Sequence, residues 1–257
     1  MIEILLKDFI IVLMIFIRVL AAFIAAPIFG HKAIPATVKV FLSFIVAYII
    51  FTTIDTSYII VNDSMGFIIS NGVKEVITGL IIGFAFNLVF HGISFAGSII
   101  GFDVGLSMAN VLNPMDDSQN NVIAEFIFYL AMFTFFLING HHYVIKALHS
   151  SVIIVPIGKF SITTPVFDLL LKYSGAVFLI AIQIASPILV SFFLIHIAEG
   201  ITARVIPQMQ VFFVTQPLKI GVGLVLVSFL IPTYLNLIKS LLSIYEDNIF
   251  QLIKAMR

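Results

Sequence analysis

The chain has 257 residues, of which 61% are hydrophobic and only 10% charged, with 13 basic and 13 acidic side chains and no cysteine. Soluble domains carry about a quarter charged residues, so this composition excludes an ordinary soluble domain. Charge balance argues against a nucleic-acid partner, and the missing thiols exclude disulfides, thiolate nucleophiles and cysteine metal sites.

A bilayer core needs around 20 apolar residues per helix, and the chain supplies six apolar stretches, roughly residues 4–30, 38–61, 67–100, 122–148, 166–200 and 211–238. The first carries Glu3 and Asp8 beside Lys7, with Arg18 inside the apolar run, so it reads as a retained helix rather than a signal peptide. Turn signals separate the stretches: Gly30-His31-Lys32 with Pro35, Asn62-Asp63-Ser64, Asn113-Pro114, Pro156-Ile157-Gly158 and Ile206-Pro207-Gln208. Barrel strands are short and alternate polar with apolar, whereas these runs are long and apolar on every face. The expected fold is all-α, an integral membrane protein of about six long hydrophobic helices or helical hairpins.

The last segment differs. Leu241, Leu242, Tyr245, Ile249, Leu252 and Ile253 recur at helical spacing, with Ser243, Glu246, Asp247, Gln251 and Lys254 on the other side. That pattern predicts an amphipathic helix docked on a partner or lying at an interface. Basic residues fall on both sides of a six-span arrangement, so the positive-inside rule leans only slightly towards cytoplasmic termini.

Between the third and fourth stretches lies GFDVGLSMANVLNPMDDSQNN, residues 101–121, with three acids, a proline and no basic residue. Continued as a helix from the third run, Gly97, Gly101, Gly105 and Ala109 form one stripe of small residues, a spacing that lets backbones approach closely. Gly79 and Gly83 repeat the device one segment earlier. Asp103, Ser107 and Asn110 take the opposite side, which cannot face lipid. Asn113-Pro114 is expected to end this helix. Polar irregular backbone at membrane depth is tolerated where it is buried in protein or lines water. The segment is therefore either an external loop or a polar constriction on an aqueous path.

Arg18 is an intramembrane charge that needs a partner, with Glu75, Asp103 and Glu125 as candidates. A structural ion pair is its plainest role. His141, His142 and His149 cluster around Lys146, and a cation among would-be ligands argues against a metal. No GxSxG, HExxH or Walker loop is present, so no catalytic residues are assigned. Ser94 and Ser98, in GISFAGSIIG, belong to a packing motif.

Four blocks in order carry a family resemblance: RVLAAFIAAPIFGHKAIPATVKV at 18–40, AGSIIGFDVGLSMANVLNP at 96–114, FFLINGHHYVIKALHSSVIIVPIG at 135–158, and RVIPQMQVFFVTQPLKIGVGL at 204–224. The chain resembles the FliR/SctT family of type III protein export gate subunits. Its matching motif residues are Pro27, Pro35, Asn139, Gly140, His141, Arg204, Pro207, Gln208 and Pro217. The resemblance implies a FliP-like part, about residues 1–164, followed by a FliQ-like helical hairpin, about 165–257. It implies no enzyme activity and no cofactor. It also implies a place in the bacterial inner (cytoplasmic) membrane at the flagellar basal body, with FliP, FliQ, FlhB and FlhA homologues, unfolded export substrates and lipid as partners.

In that family a loop plugs the closed channel, and it maps onto residues 101–121. The plug residues so implied are Gly101, Phe102, Asp103, Gly105, Met108, Asn110, Asn113, Pro114, Met115, Asp116 and Asp117. The family often has glutamine in place of Asp103 and Asp-Pro in place of Asn113-Pro114, so the loop's position transfers better than any one side chain. The glycine edge of this segment is expected to press on a neighbouring subunit. Alternatives are an injectisome subunit of SctT type, a small-solute carrier, which should show matched halves, and an intramembrane hydrolase, which lacks its nucleophile or ligand set.

Overall fold

The computed structural model describes residues 2–31, 33–56, 64–106, 121–161, 163–208 and 210–257. Among these residues the secondary structure is helical: α1 (Ile2–Ala25), α2 (Ala36–Thr53), α3 (Met65–Val104), α4 (Val122–Leu137), α5 (Gly140–Ile154), α6 (Thr164–Val205) and α7 (Val211–Ala255). Among the described residues five helices are long and apolar enough to cross a membrane, or six spans result when α4 and α5 count as one broken span. The all-α membrane fold expected from the apolar runs is what the chain adopts.

Three boundaries differ from the sequence reading, each for a local reason. The fourth apolar run breaks at Asn139, whose backbone is left-handed (φ 59°); asparagine tolerates that conformation better than most residues. The sixth run and the amphipathic tail form one helix of 45 residues. Pro217 and Pro232 both lie inside it, as a membrane helix tolerates when neighbours satisfy the freed carbonyls. Finally, α3 ends at Val104 rather than at Asn113-Pro114.

The chain forms two units. In the first (residues 1–88, 139–174 and 242–257), Ile11, Met14, Ile15, Val19 and Phe23 of α1 are buried, as are Val144, Leu148 and Val152 of α5. Gly79 and Gly83 bring α3 onto α1: a side chain at 79 would meet the Arg18 carbonyl and the Ala21 methyl, and one at 83 the Ala22 carbonyl and the Ala25 methyl. The small-residue stripe therefore works here as a backbone contact within the chain.

The amphipathic tail packs in this same unit. Leu242, Tyr245, Ile249, Leu252 and Ile253 are buried, while Ser243, Asp247, Gln251 and Lys254 are exposed. Tyr173 Oη donates to the Asn248 carbonyl at 2.9 Å, and Thr163 Oγ1 donates to the Ala255 carbonyl at 3.1 Å. The apolar stripe thus docks on the beginning of the chain's own α6.

In the second unit (residues 89–138 and 175–241), Phe90 meets Phe128 and Phe135 edge-on at 6.0 and 5.8 Å. Gly92 lies against Ile180, and Gly97 against the Ala124 backbone. Along α6, Phe178, Leu179, Ile182, Val190, Phe193 and Leu194 are each more than half exposed. A contiguous apolar face of this kind belongs to lipid or to other subunits.

Candidate functional site

The polar segment leaves α3 and rejoins the chain at α4 through a closed joint in the second unit. At its start, the Gly105 N–H donates to the Phe102 carbonyl at 3.0 Å and the Leu106 N–H to the Gly101 carbonyl at 3.1 Å. Gly105 has φ +89°. This is a Schellman ending, in which a left-handed glycine lets the last carbonyls of a helix find donors. It accounts for the helix stopping well before Asn113-Pro114.

At the other end, Asn121 caps α4. Its Oδ1 accepts from the Ile123 and Ala124 N–H groups at 3.0 and 3.4 Å. Its Nδ2 donates to the Ser98 carbonyl of α3 at 3.1 Å. A side chain at Gly101 would collide with this amide, and one at Gly97 would come within 2.5 Å of Ala124 Cα. Gly97 and Gly101 therefore hold the chain's own α4, which takes the place of the neighbouring subunit expected from the sequence.

Phe102 is 75% exposed at this joint, with Asp103 partly exposed beside it. Met108, Ala109, Asn110, Asn113, Pro114, Met115, Asp116 and Asp117 lie outside the described residues. Most of the motif residues sit at helix boundaries. Pro35 precedes α2, Asn139 and Gly140 open α5 with the His141 ring tilted against that of His142, Arg204 is in the last turn of α6, Pro207 and Gln208 form the following turn, and Pro217 lies within α7. Pro27 follows α1 in a turn.

Two charge clusters support the helices. In the first unit Arg18 Nε donates to Glu75 Oε2, its Nη1 to the Ser151 carbonyl at 2.8 Å and its Nη2 to the Val155 carbonyl at 3.0 Å. Glu75 Oε1 accepts the Gly158 N–H at 2.9 Å. Of the three candidate acids, Glu75 is the partner. In the second unit Lys219 Nζ lies 2.7 Å from Glu199 Oε2, which also lies 3.2 Å from His196 Nδ1. This cluster was not picked out from the sequence. Its only signal is one acid and one base near the facing ends of two consecutive apolar runs.

Among the described residues no group of three His, Cys, Asp or Glu side chains could hold a metal. What the geometry offers is support: a glycine-based joint presenting a polar segment, within helices tied by buried charge.

Residues 9–244 match the family described as Bacterial export proteins, family 1. The chain belongs to that family. This export protein is similar to the flagellar biosynthetic protein FliR of Bacillus subtilis (strain 168), 32% identical over 95% of this chain and 92% of the relative. It is also similar to those of Buchnera aphidicola subsp. Acyrthosiphon pisum, 30% identical over 91% and 89%, and Escherichia coli (strain K12), 29% identical over 84% and 82%. As a member, this export protein is a membrane-embedded component of a bacterial protein export gate.

Proposed function

We propose that the chain is the FliR-type subunit of the flagellar type III export gate, helping to enclose the channel and plugging it with residues 101–121. The observation that carries this reading is the joint at Gly101, Gly105 and Asn121. An export-family chain of great apolarity roots a polar, acidic segment on two helix ends braced against each other. Such a segment is stable at membrane depth only beside protein or water, and a protein-conducting channel supplies both.

The subunit assembles with FliP, FliQ and FlhB homologues and works with an FlhA homologue in the inner membrane at the flagellar basal body. Residues 1–164 act as its FliP-like part and α6 with α7 as its FliQ-like hairpin. Unfolded flagellar proteins thread the channel, driven by the proton-motive force and by an ATPase elsewhere in the apparatus. The plug limits ion flow when no substrate is present, and gating requires that its displacement cost little free energy.

Exposed apolar faces on α6 suit burial against partner helices as well as lipid. Affinity purification of the tagged chain from its own membrane tests the assignment. It should bring down FliP and FliQ homologues in one hetero-oligomer; recovery alone or as a homomer would contradict it.

A further inference from the structure

The joint at the end of α3 has a third member, from α7. The Gln216 amide occupies the volume that a side chain at position 105 would fill, and its Nε2 donates to the Val104 carbonyl at 3.4 Å. Two helix turns further along the same face of α7, Gly223 makes room for the Val104 side chain, so that a Cβ at 223 would lie 3.2 Å from Val104 Cβ. The Schellman bonds occupy the Gly101 and Phe102 carbonyls. The Val104 carbonyl, one of those a helix end leaves without an intrahelical donor, receives Gln216.

We infer that Gln216 is a positioning residue for the channel plug: it pins to α7 the point at which the chain leaves α3. This rests on the plug reading of residues 101–121. Glycine at 105 is then required twice, for its positive φ and because the Gln216 amide takes the side-chain space. Gln216 touches neither substrate nor partner in this role. It acts through the Val104–Gly105 backbone, and its loss lets the root of the polar segment drift while the helices stay packed.

The test uses the full gate, purified with its partners and reconstituted in lipid vesicles, with ion leak as the readout. Gln216→Met keeps an unbranched side chain of similar length but removes the donor. It should assemble at parental yield and leak severalfold more than the parent. The chain has no cysteine, and positions 104 and 223 lie close to the ~3.5–4.5 Å Cβ separation a disulfide spans. Adding Val104→Cys and Gly223→Cys to Gln216→Met should restore a low leak when oxidised and lose it again on reduction, a reversible rescue that general destabilisation would not give.

A Gln216→Met gate as tight as the parent overturns the inference. If deletion of residues 113–121 leaks in the same assay, the plug reading survives that result; if the deletion is tight as well, both fall. Should Gln216→Met fail to assemble, Gln216→Asn keeps the amide but shortens its reach, and a parental leak in that variant overturns the inference equally. A fully formed 104–223 disulfide that leaves the Gln216→Met leak unchanged does so too.

Discussion

Arg18 Nε donates to Glu75 Oε2 at 2.5 Å, and neither side chain keeps any solvent-accessible surface. Both charges have left water completely, and the guanidinium also satisfies two carbonyls near the end of α5. A buried pair so saturated with hydrogen bonds fixes which helices meet, whether or not it adds net stability. Removing one member strands the other. Arg18→Met or Glu75→Met alone should cost about 3–5 kcal/mol, read as a lower melting temperature in detergent. The double variant should recover a large part of that loss. Simple additivity of the two single effects would show that the charges are not coupled.

Some helical glycines lie against backbone of another helix, and others have open space where a side chain would be. Gly83→Leu drives a side chain into the Ala22 carbonyl, parting α1 from α3, and should abolish accumulation of folded protein. Gly175 of α6 has no neighbouring atom within 4 Å of a would-be Cβ. Gly175→Ala should raise stability by up to about 1 kcal/mol, the helix propensity difference. Equal melting temperatures for the two variants would contradict the packing account.

Lys219 is 4% exposed, and Glu199 is the carboxylate beside it. Glu199→Leu should therefore destabilise the α6–α7 hairpin severely, because an unpaired buried charge remains. Adding Lys219→Met should restore much of the lost stability. His196, with 46% of its side chain exposed, should tolerate alanine at under about 1 kcal/mol. Thermal melts of the three variants check this order, and a larger effect at His196 than at Glu199 would reverse it.

The tail offers a test on one helix. Ile249 is 1% exposed and Ile244 is 52% exposed. Ile249→Ala should cost about 2–5 kcal/mol, as buried isoleucine truncations do, and Ile244→Ala far less. Comparable losses at both would mean that the tail docks through its other face.

These contrasts show what could be read from sequence. The all-helical membrane class followed from run length alone, and the tail's buried stripe followed from its periodicity. Arg18's need for a partner was legible, but choosing Glu75 over Asp103 and Glu125 required knowing which helices cross. Gly105 was legible only in part: a glycine four residues after Gly101 fits a packing stripe and a helix-ending position equally well, and here it both ends α3 and leaves room for Gln216. Asn139-Gly140 carried a turn signal that the long flanking apolar runs masked. Gln216 was invisible because it acts on Val104, far away in the chain, and the Glu199–Lys219 pair left only the weak signal of one acid and one base on consecutive helices.

The central claim is that residues 101–121 plug an export channel. The most direct measurement is ion conductance across vesicles holding the assembled gate, parental against one lacking residues 113–121. The account predicts a gate recovered at parental yield with conductance raised severalfold when no substrate is present. An assembled deletion gate as tight as the parent would contradict it.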